Sequence, residues 1–151
     1  MLQSSPTSPS SYRATLKRVW GFDDFRGTQL EAVEHIVARR DVLVVTATGG
    51  GKSLVYTFPP VHLGRTALVI SPLISLMQDQ VRGLTMRGVA ACLLGTAQAD
   101  ASVYGRVLGG EYAVVFLTAE RFLSMSPEDV ARIDPCLVAV DEAHCVSEWG
   151  H

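Results

Sequence analysis

The chain has 151 residues, 48% of them hydrophobic and 19% charged, with a formal net charge of −2. That balance suits one globular domain with its own core and excludes a chain kept open by charge repulsion. No apolar run approaches the roughly 20 residues that span a bilayer, so no membrane role is expected. Without overall basic charge, any nucleic-acid contact must come from local geometry.

Residues 1 to 11, MLQSSPTSPSS, are rich in Ser and Pro and are expected to form a disordered tail. No acidic residue precedes Asp23, while Arg13, Lys17 and Arg18 fall in that window. Cleaved transit peptides share this composition, but residues 12 to 20 also read as a helix entering the domain. Residues 12 to 40 are expected to be helical. Thr28 with Glu31 makes a capping box, and Leu30, Val33, Ile36 and Val37 line one face of a helix ending near Arg39. Val42 to Val45 reads as a short apolar strand. A helix from about Lys52 is expected to end before Pro59-Pro60.

Thr66 to Ile70 is the next expected strand. Ser71 as cap and Pro72 at the first position then open a helix running past Val81. Strands follow at Val89 to Leu94, Ala113 to Leu117 and Cys136 to Val140. Between them fall a helix over 99 to 108, interrupted by Gly105, and a short helix opened by Ser126-Pro-Glu-Asp. Strands and helices alternate, and the strands are apolar throughout. The pattern predicts an α/β fold of three layers, with a mostly parallel sheet covered on both faces. In such sheets ligands bind beyond the carboxyl ends of the strands. Cys92, Cys136 and Cys145 lie in or beside apolar runs and fit reduced thiols better than a disulfide framework.

The stretch after the first strand, Thr48-Gly49-Gly50-Gly51-Lys52-Ser53, is a phosphate loop. Backbone amides in a tight glycine turn can point inward together as an anion nest, and the following helix adds its N-terminal amides. Lys52 supplies a point charge for the β- and γ-phosphates, and the Ser53 hydroxyl can ligate Mg²⁺. The general pattern has glycine six residues before the lysine, where this chain has Thr46. After the last strand come Asp141 and Glu142. Asp141 would hold Mg²⁺, and Glu142 would orient and polarise the attacking water. The combination predicts a site for a nucleoside triphosphate.

Asp141-Glu-Ala-His144 following that loop resembles a superfamily 2 helicase, and the extended string DEAHCVSEWGH resembles the RecQ family of DNA helicases. VISPLISLMQDQV, residues 69 to 81, is similar to that family's motif Ia, and FRGTQLEAV, residues 25 to 33, to its adenine-recognition motif. FPPVHLGRTALVISPLISLMQDQV and LLGTAQ most resemble the Werner syndrome helicase branch. The resemblance covers about residues 16 to 151 and implies a RecA-like P-loop NTPase fold that uses ATP and Mg²⁺. It implies a 3′-to-5′ helicase acting on single-stranded and forked DNA with little sequence preference, and, through the branch, a nuclear location.

Residue roles follow from the same resemblance. Gln29 would read adenine through its amide, Phe22 would stack on the base and Arg26 would help hold it. Read alone, Phe22 is a core residue and Arg26 a surface charge. His144 would couple the nucleotide site to DNA, against the plainer reading of a packed histidine. Ser71, at a helix N-terminus, and Thr118 would contact DNA phosphates. Thr118 is followed by Ala119 where the family has proline. Trp149 would sense single-stranded DNA, or simply pack. Cys136, His144, Cys145 and His151 match no standard zinc pattern.

In the family the sequence continues into a strand that lies between the phosphate-loop strand and the Asp141 strand, and then into a second RecA-like domain with an arginine finger. The 151 residues alone are therefore expected to leave a gap in the sheet, to fold poorly and to hydrolyse ATP only at a trace rate. Three readings stand at this point. The chain is the ATP-binding part of a helicase, a short nucleotide- or partner-binding product without turnover, or a P-loop ATPase of another kind.

Overall fold

The structure, a computed structural model, describes residues 5–47, 51–95 and 101–148. The expectations for Thr48, Gly49, Gly50 and Trp149 lie outside the described residues. Four short strands, β1 (Ala67–Ile70), β2 (Ala91–Leu94), β3 (Val114–Leu117) and β4 (Leu137–Val140), pair in the order β2-β3-β1-β4. Every pairing is parallel, as the apolar runs predict. β1 and β3 are central and buried along their whole length, whereas β4, at the edge, leaves Val138 and Val140 exposed.

Helices cover both faces. α3 (Lys52–Leu63) and α4 (Ile74–Met86) bury Tyr56, Met77 and Leu84 against Val69, Val114 and Phe116. On the opposite face α5 (Ala101–Leu108) and α7 (Pro127–Ile133) bury Val107 and Ile133 against Leu68, Ile70, Val115 and Leu117. α1 (Pro9–Trp20) and α2 (Gln29–Val37) pack on the outer side of α3, where Tyr12, Leu16, Val33 and Phe58 form a further cluster. The fold class is therefore the expected α/β three-layer one, with a RecA-like parallel sheet.

Several boundaries depart from expectation for physical reasons. α1 begins at Pro9, inside the stretch expected to be disordered, because Ser8 accepts from the Ser11 N–H and Pro9 stands at the first helical position. The Thr28 capping box does not form. Thr28 has φ −91° and ψ 8°, not extended backbone, and its side chain makes no cap bond. α3 runs through Pro59 and Pro60 to Leu63 and stops at Gly64. An interior proline costs about 3 kcal/mol or more. Here every residue from Leu54 to Pro60 is buried, and each large apolar side chain so placed returns roughly 1.5–3 kcal/mol.

Ser71 does not cap α4. Its N–H donates to Leu117 O at 3.1 Å, prolonging the β1–β3 ladder, and the helix starts three residues later at Ile74. A short helix that the sequence reading missed, α6 (Ala119–Leu123), is capped by Thr118, whose Oγ1 accepts from the Arg121 N–H at 3.2 Å.

Val42 to Val45, expected as a strand beside a gap in the sheet, pairs with no strand among the described residues. Val44 is tucked against Ala32, Ile36 and Val55, while Leu43 and Val45 are exposed by 83% and 85%. A groove of about 860 Å³ runs between this segment and β4.

Candidate active site

Ladder register assembles the site. Ile70 stands opposite both Leu117 and Val140, so Thr118, Ser71 and Asp141 emerge side by side at the carboxyl ends of β3, β1 and β4. The Asp141 N–H still donates to Ile70 O at 2.8 Å, which ties the start of the loop to the sheet. One residue on, Glu142 takes φ 54°, a left-handed conformation uncommon outside glycine. The reversal sends its carboxylate toward His144, whose Nε2 lies 3.4 Å from Glu142 Oε2. His144 is mostly exposed on a 3-10 turn over Ala143–Glu148.

Asp141 is held at both oxygens. Oδ1 accepts the Glu142 N–H at 3.0 Å, and Oδ2 accepts the Tyr56 hydroxyl at 3.1 Å. Tyr56 lies one helical turn beyond Lys52 on α3, and its oxygen also meets the Gln80 amide of α4. Burial, above all, pushes the Tyr56 hydroxyl well above its usual range. Gln80 opposes the rise, while the charge and hydrogen bond of Asp141 add to it. The hydroxyl therefore stays protonated and remains a donor at working pH. Neither Tyr56 nor Gln80 was singled out from the sequence. The i, i+4 spacing from Lys52 was the signal for Tyr56, and nothing local marked Gln80.

The groove beside the Val42 to Val45 segment carries Thr46, Lys52, Asp141, Glu142 and His144 on its walls. Lys52 is the first residue of α3, directly after Gly51, which caps the helix at φ 74°. Ser53 follows, exposed, with its carbonyl accepting from Thr57 Oγ1 at 2.8 Å. Gln29 is buried against the same loop, with Nε2 donating to Gly51 O at 3.0 Å and Oε1 accepting the Arg26 N–H at 2.7 Å. A Cβ on Gly51 would meet Gln29 Nε2 at 2.6 Å. Phe22 is exposed, not core, and Arg26 is exposed as well.

Two residues read as DNA contacts are committed to local structure. Ser71 is 2% exposed, accepts the Leu73 N–H at 3.3 Å and stands three residues before α4, not at its N-terminus. The Thr118 hydroxyl caps α6.

Comparison with known proteins gives this geometry its context. The DEAD/DEAH box helicase family matches residues 26–151. The bifunctional 3′-5′ exonuclease/ATP-dependent helicase WRN of Mus musculus is 46% identical over 141 residues, which is 90% of this chain and 10% of that protein. The ATP-dependent DNA helicase RecQ of Bacillus subtilis is 40% identical over 144 residues, 92% of this chain and 24% of that protein. The ATP-dependent DNA helicase Q-like SIM of Arabidopsis thaliana is 37% identical over 152 residues, covering 99% and 18% respectively. The chain thus spans between 10% and 24% of the length of these relatives. With RecQ-type helicases similar to it over nearly all of its length and a family match across residues 26–151, the chain belongs to the DEAD/DEAH box helicases.

Proposed function

We propose that the chain binds ATP together with Mg²⁺ at the carboxyl ends of its strands and, in the full-length protein, couples ATP hydrolysis to separation of DNA strands. The observation that carries this reading is the convergence of Lys52, Asp141 and Glu142 on one groove at the edge of a parallel sheet. The relatives' names, all ATP-dependent helicases, supply the reaction class.

The residues present fit each part. Lys52 and the first amides of α3 suit the phosphates of a triphosphate, by charge and by dipole. The Ser53 hydroxyl and the Asp141 carboxylate are hard oxygen donors of the kind Mg²⁺ takes. Each Asp141 oxygen accepts one hydrogen bond within the protein, which leaves lone pairs on both. When bound, the ion neutralises charge on the phosphate oxygens. Glu142 orients the attacking water and takes up its proton, with His144 beside it to hold the carboxylate in place. Each end of the Gln29 amide has one partner, so one lone pair and one N–H remain to read adenine, while Phe22 offers an exposed ring face and Arg26 a nearby charge.

The DNA partner in this proposal is single-stranded or forked, held along the rim that carries Thr118 and by Trp149. Buried as it is, Ser71 takes part by shaping the turn into α4. The test is phosphate release by the full-length protein with and without single-stranded DNA. DNA should raise turnover at least tenfold and Lys52→Ala should abolish it. Turnover indifferent to DNA would make this a P-loop ATPase of another kind, and absent turnover with intact ATP binding would favour a binding role.

A further inference from the structure

Three side chains from three separate elements meet end to end beneath the groove. Gln80 Nε2 of α4 lies 2.9 Å from Tyr56 Oη of α3, closer than the 3.2 Å from that oxygen to Gln80 Oε1. Tyr56 Oη lies 3.1 Å from Asp141 Oδ2. A phenol has one proton to give, and a carboxylate is the stronger acceptor, so the proton points to Asp141 and the Gln80 amide donates to the phenol oxygen. The bonds then run in one direction, Gln80 N–H to Tyr56 O–H to Asp141, and each polarises the next. The Glu142 N–H occupies the other carboxylate oxygen at 3.0 Å, so the tyrosine decides whether the carboxylate plane is pinned at one point or two.

We propose that Tyr56 and Gln80 are positioning residues for the Asp141 carboxylate, through which the placement of α4 sets the aim of that carboxylate at the bound cation. The inference rests on the reading of Asp141 as the residue that holds Mg²⁺. Among the described residues no other side-chain hydrogen bond of α4 reaches the site: the Asp79–Arg82 pair is internal to the helix and faces solvent. A rotation or slide of α4 that withdrew Gln80 would free the Tyr56 hydroxyl to turn, and Asp141 would lose one of its two tethers. The end of α4 nearest the rim follows the Ser71 turn, so an event at that turn has a short mechanical route to the carboxylate.

The experiment is an equilibrium titration of the full chain with a fluorescent ATP analogue, in EDTA and across a Mg²⁺ series. Variants are Tyr56→Phe, Gln80→Leu, Gln80→Glu and the Tyr56→Phe/Gln80→Leu pair. Loss of one hydrogen bond to a charged acceptor should raise the half-saturating Mg²⁺ concentration about fivefold or more, with affinity in EDTA unchanged. Because the residues act in series, the pair should be no worse than Tyr56→Phe alone. Gln80→Glu keeps the shape but offers the phenol a rival carboxylate, so it should behave like Gln80→Leu. A Mg²⁺ dependence equal to the wild type in Tyr56→Phe and Gln80→Glu overturns the inference, as does a matched fall in EDTA and in Mg²⁺, which marks a packing role. The underlying reading fails separately: in that case the wild type itself shows no binding that Mg²⁺ strengthens and Lys52→Ala weakens, and the inference falls with it.

Discussion

Gly51 shows how much one residue decides at this site. It has φ 74°, and a Cβ there would press to 2.6 Å of Gln29 Nε2. Gly64, at the far end of the same helix, has φ 64° with nothing within 4 Å. Alanine at Gly64 therefore meets backbone strain alone, about 1 kcal/mol, while alanine at Gly51 also displaces Gln29 from its loop. Gly51→Ala should lower thermal stability more than Gly64→Ala and weaken fluorescent ATP-analogue binding at least tenfold, with Gly64→Ala binding normally. Equal effects on binding would show that Gln29 takes no part in holding the nucleotide. The glycine itself was plain from the phosphate-loop pattern. Its contact with Gln29, 22 residues earlier, was not, because only the packing of α2 on α3 brings the two together.

At the level of elements, the apolar strands and their parallel pairing were legible because β1, β3 and β4 are continuous apolar runs. The misreadings share a cause. Ser-Pro works as a helix start at Ser8 and Ser126 but not at Ser71, where the ladder still claims the backbone N–H. Proline stops exposed helices, yet α3 is buried on the strength of its neighbours. Both are tertiary effects on local rules. A different tertiary contact, between α5 and α7, carries a pH signature. Tyr104 donates to Asp129 Oδ2 at 2.5 Å, and burial first, then this hydrogen bond and the charge of Asp129, push its hydroxyl from 10.0 up to about 12.

A raised tyrosine favours the neutral form in the folded state, so its stabilisation is intact below pH 10 and is lost as pH rises from 10 to about 12. Chemical denaturation should show stability falling through that window. Tyr12 and Tyr56 shift in the same direction, so Tyr104→Phe should shrink the fall without abolishing it. A fall of unchanged size in the variant would show that the contact is not formed in solution.

Across the whole molecule, the sheet ends at β4 with an apolar edge facing a groove, and the Val42 to Val45 segment stands on the far side. The alternation of inward Val44 with exposed Leu43 and Val45 is that of a strand without a partner. The pattern of residues announced a strand there and the family resemblance a gap beside it, and among the described residues the segment pairs with no strand. That same groove brings Lys52 from one helix and Asp141 and Glu142 from one strand end to a common wall, 89 positions apart along the chain between Lys52 and Asp141. On the reading proposed above, this wall holds ATP. The first measurement is equilibrium binding of a fluorescent ATP analogue, with Mg²⁺, to the full-length protein and to its Lys52→Ala and Asp141→Asn variants. Binding should be saturable and weaken at least tenfold in both variants while circular dichroism stays unchanged. Binding of equal strength in all three would contradict it.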